Sequence, residues 1–130
     1  MSTIPVGTLG ELRLRVTDDI AINFLGLEGA RVLATPAMIG LLEMTCRDSI
    51  LPLLEAGYDS VGTEVNVKHL AATPMGMEVT FQSEVTEVHE RRVKFKVAAF
   101  DEKEQIADGT HERFVINVER FAKRLKEKGR

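Results

Sequence analysis

One apolar segment in the first half of the chain constrains the fold more than any other feature. Residues 34–46 read ATPAMIGLLEMTC, and Pro36 suits the first helical position, where no amide is needed. Thr35 is a suitable N-cap because its hydroxyl can accept a hydrogen bond from a free amide of the first turn. The residues that follow are apolar around most of the helix circumference, and such a helix is typically buried. We therefore expect the rest of the chain to cover it.

The segments after this helix alternate between apolar and polar residues, as half-buried strands do. They are residues 60–70, 76–88, 92–100 and 105–118, and a shorter strand around residues 12–16 precedes the helix. In residues 60–70, Val61, Val65 and Val67 are predicted on one face. Short polar joins link the last three strands, which are therefore predicted to be antiparallel neighbours. Residues 17–34 read as a loop with a helical turn, and residues 118–128 as a short amphipathic helix.

These elements predict an α+β fold in which a five-stranded antiparallel sheet wraps around one long central helix. This layout is typical of the hotdog fold. The length suits one domain, so residues 1–130 are predicted to form a single hotdog domain. An open sheet edge and remaining apolar surface favour a homodimer or a dimer of dimers.

Composition excludes several classes of function. The net charge of -3 and the lack of a basic patch with aromatic residues argue against nucleic acid, and the basic C-terminal tail is interpreted as a solvated helix face. The single cysteine, Cys46, excludes an intrachain disulfide and paired-cysteine zinc motifs. No metal or cofactor motif is found. Without a signal core or a membrane-length apolar segment, the expected location is cytoplasmic, with no membrane partner.

Glu43 is the only charge in the middle of the apolar helix, and an unpaired buried carboxylate is costly. One interpretation is an ion pair with Arg47, four residues later on the helix. The other is a catalytic carboxylate. Gly40 lies one turn earlier on the same face, where the missing side chain leaves room for helix packing or for a ligand.

The histidines differ in their predicted surroundings. His69 shares the apolar face of its strand and lies at the strand end, where sites are often built, although a structural core role is the alternative. His89 lies in a polar hairpin and is expected to be exposed. His111 is given a structural role, and Arg113 is predicted to form ion pairs at a surface or an interface, with a phosphate contact as the alternative. Gly62 marks either a bulge or a close approach to a ligand.

Three segments resemble the hotdog-fold acyl-CoA thioesterases, in particular the fluoroacetyl-CoA thioesterase group. They are ATPAMIGLLEMTC, GTEVNVKHLAATPMG and DGTHERFVINVERF. The resemblance implies that Thr35, Glu43 and His69 form the catalytic group and that Gly62 lies near the thioester carbonyl. It also implies hydrolysis of an acyl-CoA to a free acid and CoA at a dimer interface, without a cofactor. Gly40 and Arg113 are predicted substrate-binding residues beside Gly62.

Two features refine these expectations. The group's fluoroacetate-selective members carry an aromatic-rich lid before the catalytic threonine, whereas this chain has only Phe24 there, which favours another short or medium acyl group. Thr35 and Glu43 are eight residues apart, about 12 Å along a straight helix. We therefore expect either a bent start of the helix or a composite site in which one subunit supplies Thr35 and the other Glu43.

Two other functions remain open on the sequence. A hotdog module that binds acyl-CoA or another small ligand without turnover is the main alternative. A hydratase is third, because the Asp and His pair expected of that class is not found. Intact Thr35, Glu43 and His69 favour the thioesterase.

Overall fold

The computed structural model describes residues 3–130, so Met1 and Ser2 of the predicted domain lie outside the described residues. The strands are β1 (Leu9–Arg15), β2 (Tyr58–His69), β3 (Glu78–His89), β4 (Arg92–Phe100) and β5 (Gln105–Asn117). The helices are α1 (Thr35–Ile50) and α2 (Val118–Lys128). Short 3-10 turns lie at Asp18–Ile20, Glu28–Ala30 and Leu51–Leu53, so the loop and helical turn predicted for residues 17–34 are confirmed.

The five strands form one antiparallel sheet in the order β1-β3-β4-β5-β2. The predicted antiparallel neighbours β3, β4 and β5 are therefore confirmed. Strands β1 and β2 are the two edges of this sheet. The edge strand β2 carries Val65, which is 40% exposed, as well as Gly62, the residue that the resemblance places near the substrate.

The core lies between α1 and one face of the sheet. Alternate side chains of β3 and β4 point into it, as the sequence pattern predicts, because successive side chains of a strand point to opposite faces. The buried members are Val79, Phe81, Val85, Val93, Phe95, Val97 and Ala99. From the helix they meet Met38, Leu42, Cys46 and Ile50, which recur at helical spacing.

Helix α1 is buried on one face only in the single chain. Met44 is 46% exposed and Gly40 is also exposed, so the predicted burial on most sides is wrong for one subunit. The reason is that the sheet covers one side of the helix rather than enclosing it. Gly40 and Met44 are four residues apart and therefore form an open strip on one side of α1.

A β-bulge in β2 changes which side chains face the core. The pairing of β2 with β5 shifts between Gly62 and Glu64. Ser60 and Gly62 face inward before the bulge, whereas Val65, Val67 and His69 do so after it, because paired residues share a face. Val61 pairs with the outward-facing Phe114, so its predicted position beside Val65 is wrong.

Candidate active site

Thr35 begins α1 and touches His69 at the end of β2. The N-cap is Ala34, and no side chain caps the helix, so the predicted capping role of Thr35 is wrong. The threonine is already the first helical residue, and its Oγ1 lies 2.8 Å from His69 Nδ1. The hydroxyl is therefore used in a tertiary contact rather than in a local one.

Backbone bonds hold these two residues together. The amide of Leu33 donates to the carbonyl of Thr73 over 2.9 Å, which ties the segment before α1 to the turn after β2. The hydroxyl of the fully buried Thr73 donates to Asp101 over 2.9 Å. Because the chain on either side of the pair is fixed, Thr35 and His69 meet in a defined geometry.

His69 has an unused ring nitrogen. Its Nε2 is buried and has no hydrogen-bond partner within residues 3–130. Burial lowers the pKa of His69 from 6.5, because desolvation disfavours the imidazolium, and a bond to the backbone of Ala71 opposes this shift in part. His69 is therefore a neutral imidazole near pH 7, and its buried Nε2 still lacks a partner among the described residues.

Glu43 lies two turns along α1 and points at a different group. Its Oε2 is 3.5 Å from Arg113 Nη1 and 3.8 Å from His111 Nε2, and its side chain is 37% exposed. The alternative ion pair with Arg47 does not form. Arg47 instead donates to the carboxylate of Asp59 from Nε over 3.0 Å and from Nη2 over 2.7 Å.

Gly62 is the residue that makes room for Glu43. A β-carbon added to Gly62 would overlap Glu43 Oε2, and it would come within 3.2 Å of the ring of His111. Glycine therefore allows the carboxylate to lie directly against the backbone of β2. Gly40, by contrast, would meet nothing within 4 Å, so close packing inside one subunit does not require a glycine there.

The buried guanidinium of Arg113 lies against the carboxylate of Glu43. It donates from Nε to Ser60 Oγ and from Nη2 to the Ser60 carbonyl, each over 2.7 Å. Arg113 forms the predicted ion pair, with Glu43, but its side chain is only 6% exposed, so the surface alternative is wrong and the interface alternative stays a prediction. The cause is the strand register, because Arg113 pairs with the inward-facing Gly62. Burial lowers the pKa of Arg113, and the carboxylate of Glu43 opposes this shift.

His111 is the third member of the group around Glu43, and its hydrogen bonds define its tautomer. Its Nδ1 lies 2.7 Å from the carbonyl of Glu64, which can only accept, so Nδ1 carries the proton. Nε2 is then an acceptor, and Arg113 Nη1 donates to it over 3.2 Å. Burial is the main cause of the lowered pKa of His111, and the charge of Arg113 adds to it. The neutral His111 therefore fixes the guanidinium that faces Glu43.

The fluoroacetyl-CoA-specific thioesterase family matches residues 16–119. The chain belongs to this family. A fluoroacetyl-CoA thioesterase of Streptantibioticus cattleyicolor is 43% identical over 101 residues, which are 78% of this chain and 73% of that protein. A solved structure of a fluoroacetyl-CoA thioesterase is 36% identical, covers 97% of this chain and 98% of its own, and gives a TM-score of 0.87.

A thioesterase superfamily member of Thermus thermophilus is also similar in structure. It is 30% identical, covers 98% of this chain and 97% of its own, and gives a TM-score of 0.85. The predicted resemblance and the predicted hotdog fold are confirmed. Membership of the fluoroacetyl-CoA-specific thioesterase family also confirms the prediction of a thioester hydrolase. The roles of individual residues remain predictions.

In this family member, sequence reasoning missed the group that holds Glu43. The sequence pattern does not single out Ser60, and it gives His111 a structural role without a link to the carboxylate. The strand alternation could have indicated this group, because His111 and Arg113 are four and two residues from the buried Val115 and therefore point to the same face of β5. Within residues 3–130, no helix has the length and apolar character needed to cross a membrane, and no group of side chains has the composition of a metal site.

Proposed function

We propose that this chain hydrolyses an acyl-CoA thioester, giving a carboxylic acid and free CoA, and that Thr35, Glu43 and His69 perform the reaction. The proposal rests on two groups of residues, here called half-sites: Thr35 with His69, and Glu43 with Gly62. One holds an imidazole whose Nδ1 contacts the Thr35 hydroxyl and whose Nε2 has no partner among the described residues. The other holds a half-exposed carboxylate against the backbone of Gly62. The similar proteins support a CoA thioester as substrate, since a solved structure of a fluoroacetyl-CoA thioesterase variant contains acetyl-CoA.

The two half-sites belong to different ends of α1. Thr35 and Glu43 are eight residues apart, and α1 is a continuous helix between them, so they are separated by about 12 Å. One reacting carbon cannot touch both. We therefore propose a composite site, in which Thr35 and His69 of one subunit face Glu43 and Gly62 of a second subunit.

The edge strand β2 suits such a pairing. Its outer edge is unpaired within residues 3–130, and an unpaired edge is a ready template for a second strand. Antiparallel pairing of two β2 strands about a centre between Val65 and Asn66 places Gly62 opposite His69 of the partner subunit. The same pairing covers the exposed edge of β2 around Val65. A homodimer, alone or as half of a dimer of dimers, is thus part of the proposal.

The chemistry needs a base or nucleophile, a proton shuttle and a stabilised oxyanion. Glu43 either removes a proton from the attacking water or attacks the carbonyl carbon itself, giving an anhydride that water then opens. In both routes the carbon–sulfur bond breaks and the departing thiolate gains a proton. His69 moves that proton or polarises the carbonyl, and Thr35 orients His69. Backbone amides near Gly62 or at the start of α1 are the proposed oxyanion donors. Water is the only co-substrate required, and no cofactor is proposed.

The acyl group is proposed to be short or medium in length. The connection between β1 and α1 presents Phe24, Leu25 and Leu27, which are 76%, 58% and 70% exposed. Phe24 is the only aromatic residue among them. This segment can cover an acyl chain, but it lacks the aromatic-rich lid of the fluoroacetate-selective group. Fluoroacetyl-CoA is therefore one substrate to be tested and not the preferred one.

The proposal is tested by offering the purified protein a panel of acyl-CoAs, from acetyl to long chains and including fluoroacetyl, and by measuring free thiol release. We expect turnover of short or medium chains by the wild-type protein and none above background by Glu43→Ala. The chain-length profile then measures the size of the acyl pocket. If no acyl-CoA is hydrolysed faster by the wild type than by the variant, the proposed function is wrong.

A further inference from the structure

A basic cleft lies between the first turns of α2 and the β3–β4 hairpin. It has a volume of about 390 Å³. The described residues that line it, here called the basic cleft, are Arg91, Asn117, Arg120, Lys123 and Arg124. None of the five is acidic, and four carry a positive charge. The mechanism proposed above uses none of them.

The cleft concentrates positive charge in an acidic protein. The chain has a net charge of -3, yet residues 118–130 hold six of its 17 Lys and Arg residues and only two of its 20 Asp and Glu residues. Many of the other cations are neutralised, since Arg31, Arg47 and Arg113 each lie within 4 Å of a carboxylate. Within residues 3–130, no ion pair involves a side chain of the basic cleft. Such a concentration of unpaired charge attracts anions to one place.

The helix geometry adds to this attraction. Helix α2 has 11 residues and begins at the cleft, so the positive end of its dipole points there. Asn117 caps it by accepting from the amide of Arg120 over 3.0 Å, which fixes the first turn. The cap places Arg120 and Arg124, one turn apart, on the same side of the helix. On the opposite wall, Arg91 is held over the ring of Tyr58, with its Cζ 5.8 Å from the ring centroid.

The cleft lies at a useful distance from Glu43. Asn117 pairs with Tyr58 at the start of β2, and Gly62 is four residues further along the same strand. Four strand residues span about 13 Å. In an acyl-CoA, the long pantetheine arm separates the thioester from the phosphate groups. An anion site at one end of β2 therefore fits a substrate whose reacting carbon lies at Gly62.

A second hollow, with a volume of about 540 Å³, lies beside the cleft. It is lined by His89, Glu90, Arg91, Arg92 and Phe114, and shares Arg91 with the cleft. Phe114 is 36% exposed on the outer face of the sheet and pairs with Arg92 across β4 and β5. Aromatic and guanidinium planes are the groups on which nucleic-acid bases stack.

We propose that the basic cleft binds the phosphate groups of the CoA portion of the substrate, with the neighbouring hollow receiving its base. This inference rests on the proposed function for the identity of the substrate, but not for the presence of the anion site. It names the residues that distinguish a CoA thioester from a thioester without phosphates. Arg120 and Arg124 are the central contacts, because they present two guanidinium groups from one helix face.

The test compares two double variants that change the net charge equally. Arg120→Gln with Arg124→Gln removes charge from the cleft, whereas Lys126→Gln with Lys128→Gln removes it from the same helix outside the cleft. We expect the cleft variant to bind free CoA at least tenfold more weakly by isothermal titration calorimetry, and the control to remain within about twofold of wild type. ADP should compete for the wild-type site, while inorganic phosphate should compete weakly, because it occupies only part of the cleft.

Kinetics supply the second readout. For an acyl-CoA, the cleft variant should show a raised KM with a similar kcat, since lost phosphate contacts remove binding energy that the transition state shares. For the same acyl group on pantetheine, which has no phosphates, cleft variant and wild type should have equal kcat/KM. Equal CoA affinity in the cleft variant and the control overturns the inference, as does a wild-type protein that does not bind CoA.

The two proposals fail separately. CoA binding that depends on the cleft, in a protein that hydrolyses no thioester, supports the basic cleft and refutes the proposed hydrolysis. Thioester hydrolysis that is insensitive to the cleft variant supports the hydrolysis and refutes the basic cleft.

Discussion

In the Glu43→Gln protein, kcat for acyl-CoA hydrolysis should fall by about a thousandfold, within the range found when a catalytic acid or base is removed. Glutamine keeps the shape of the side chain but can neither accept a proton from water nor attack the carbonyl. The affinity for CoA should stay within about twofold of wild type, because Glu43 faces Arg113 and not the proposed nucleotide site. Steady-state thiol release and calorimetric titration with CoA measure the two quantities.

This variant also separates an enzyme from a binding module. A module that binds acyl-CoA without turnover would show the same, near-zero thiol release in wild type and variant. The matched control is Glu84→Gln, which makes the same substitution at an exposed position of β3 outside the candidate site. A comparable loss of kcat in Glu84→Gln would show that the effect is not specific to Glu43.

Gly62→Ala should lower kcat about a hundredfold while the protein remains folded. The added β-carbon overlaps Glu43 Oε2, which is the far end of a flexible side chain, so the carboxylate can swing away at little cost to stability. Its displacement by about 1 Å is enough for a loss of this size. Thermal unfolding should show a Tm close to that of wild type, and kinetics should show the loss mainly in kcat.

A double variant distinguishes this cause from a general disturbance of β2. If Gly62 acts by placing Glu43, adding Gly62→Ala to Glu43→Gln should lower kcat little further, because groups that act as a unit are not additive. Independent effects would multiply instead. An alanine at Gly62 that leaves kcat unchanged would mean that the carboxylate does not need its position against β2.

The sheet could be predicted from the sequence because its central strands are simple. In β3 and β4, alternate residues from Val79 to Phe81 and from Val93 to Ala99 are apolar, and each is buried. Short polar hairpins join β3 to β4 and β4 to β5, so these strands pair as antiparallel neighbours. The period of two is a direct consequence of strand geometry, so the pattern and the structure agree.

The edge strand could not be predicted in the same way. A bulge adds one residue between Gly62 and Glu64, and everything before it changes face relative to everything after it. The alternation of Val61, Val65 and Val67 continues through the bulge without a visible break. Gly62 indicates a possible bulge, but a glycine alone does not predict how the pairing of β2 with β5 shifts.

The contacts that the candidate site residues make could not be predicted from the sequence. Thr35 has the residue type and position of an N-cap, but its hydroxyl bonds to His69 because tertiary contacts hold that histidine beside it. Arg47 has the ideal spacing to pair with Glu43, but Asp59 offers it a two-point contact. Local preferences are worth a few tenths of a kcal/mol for such a helix pair, so contacts from another strand readily override them.

The composite site is the central claim, and one measurement tests it most directly. Heterodimers are purified with one Thr35→Ala subunit and one Glu43→Ala subunit, each carrying a different affinity tag, and their thioesterase activity is compared with that of wild type. If Thr35 and His69 of one subunit work with Glu43 of the other, one of the two sites is intact and about half of the wild-type activity per dimer returns. If each site lies within one subunit, both sites are damaged and the heterodimer is as inactive as its parents. That result would contradict the composite site.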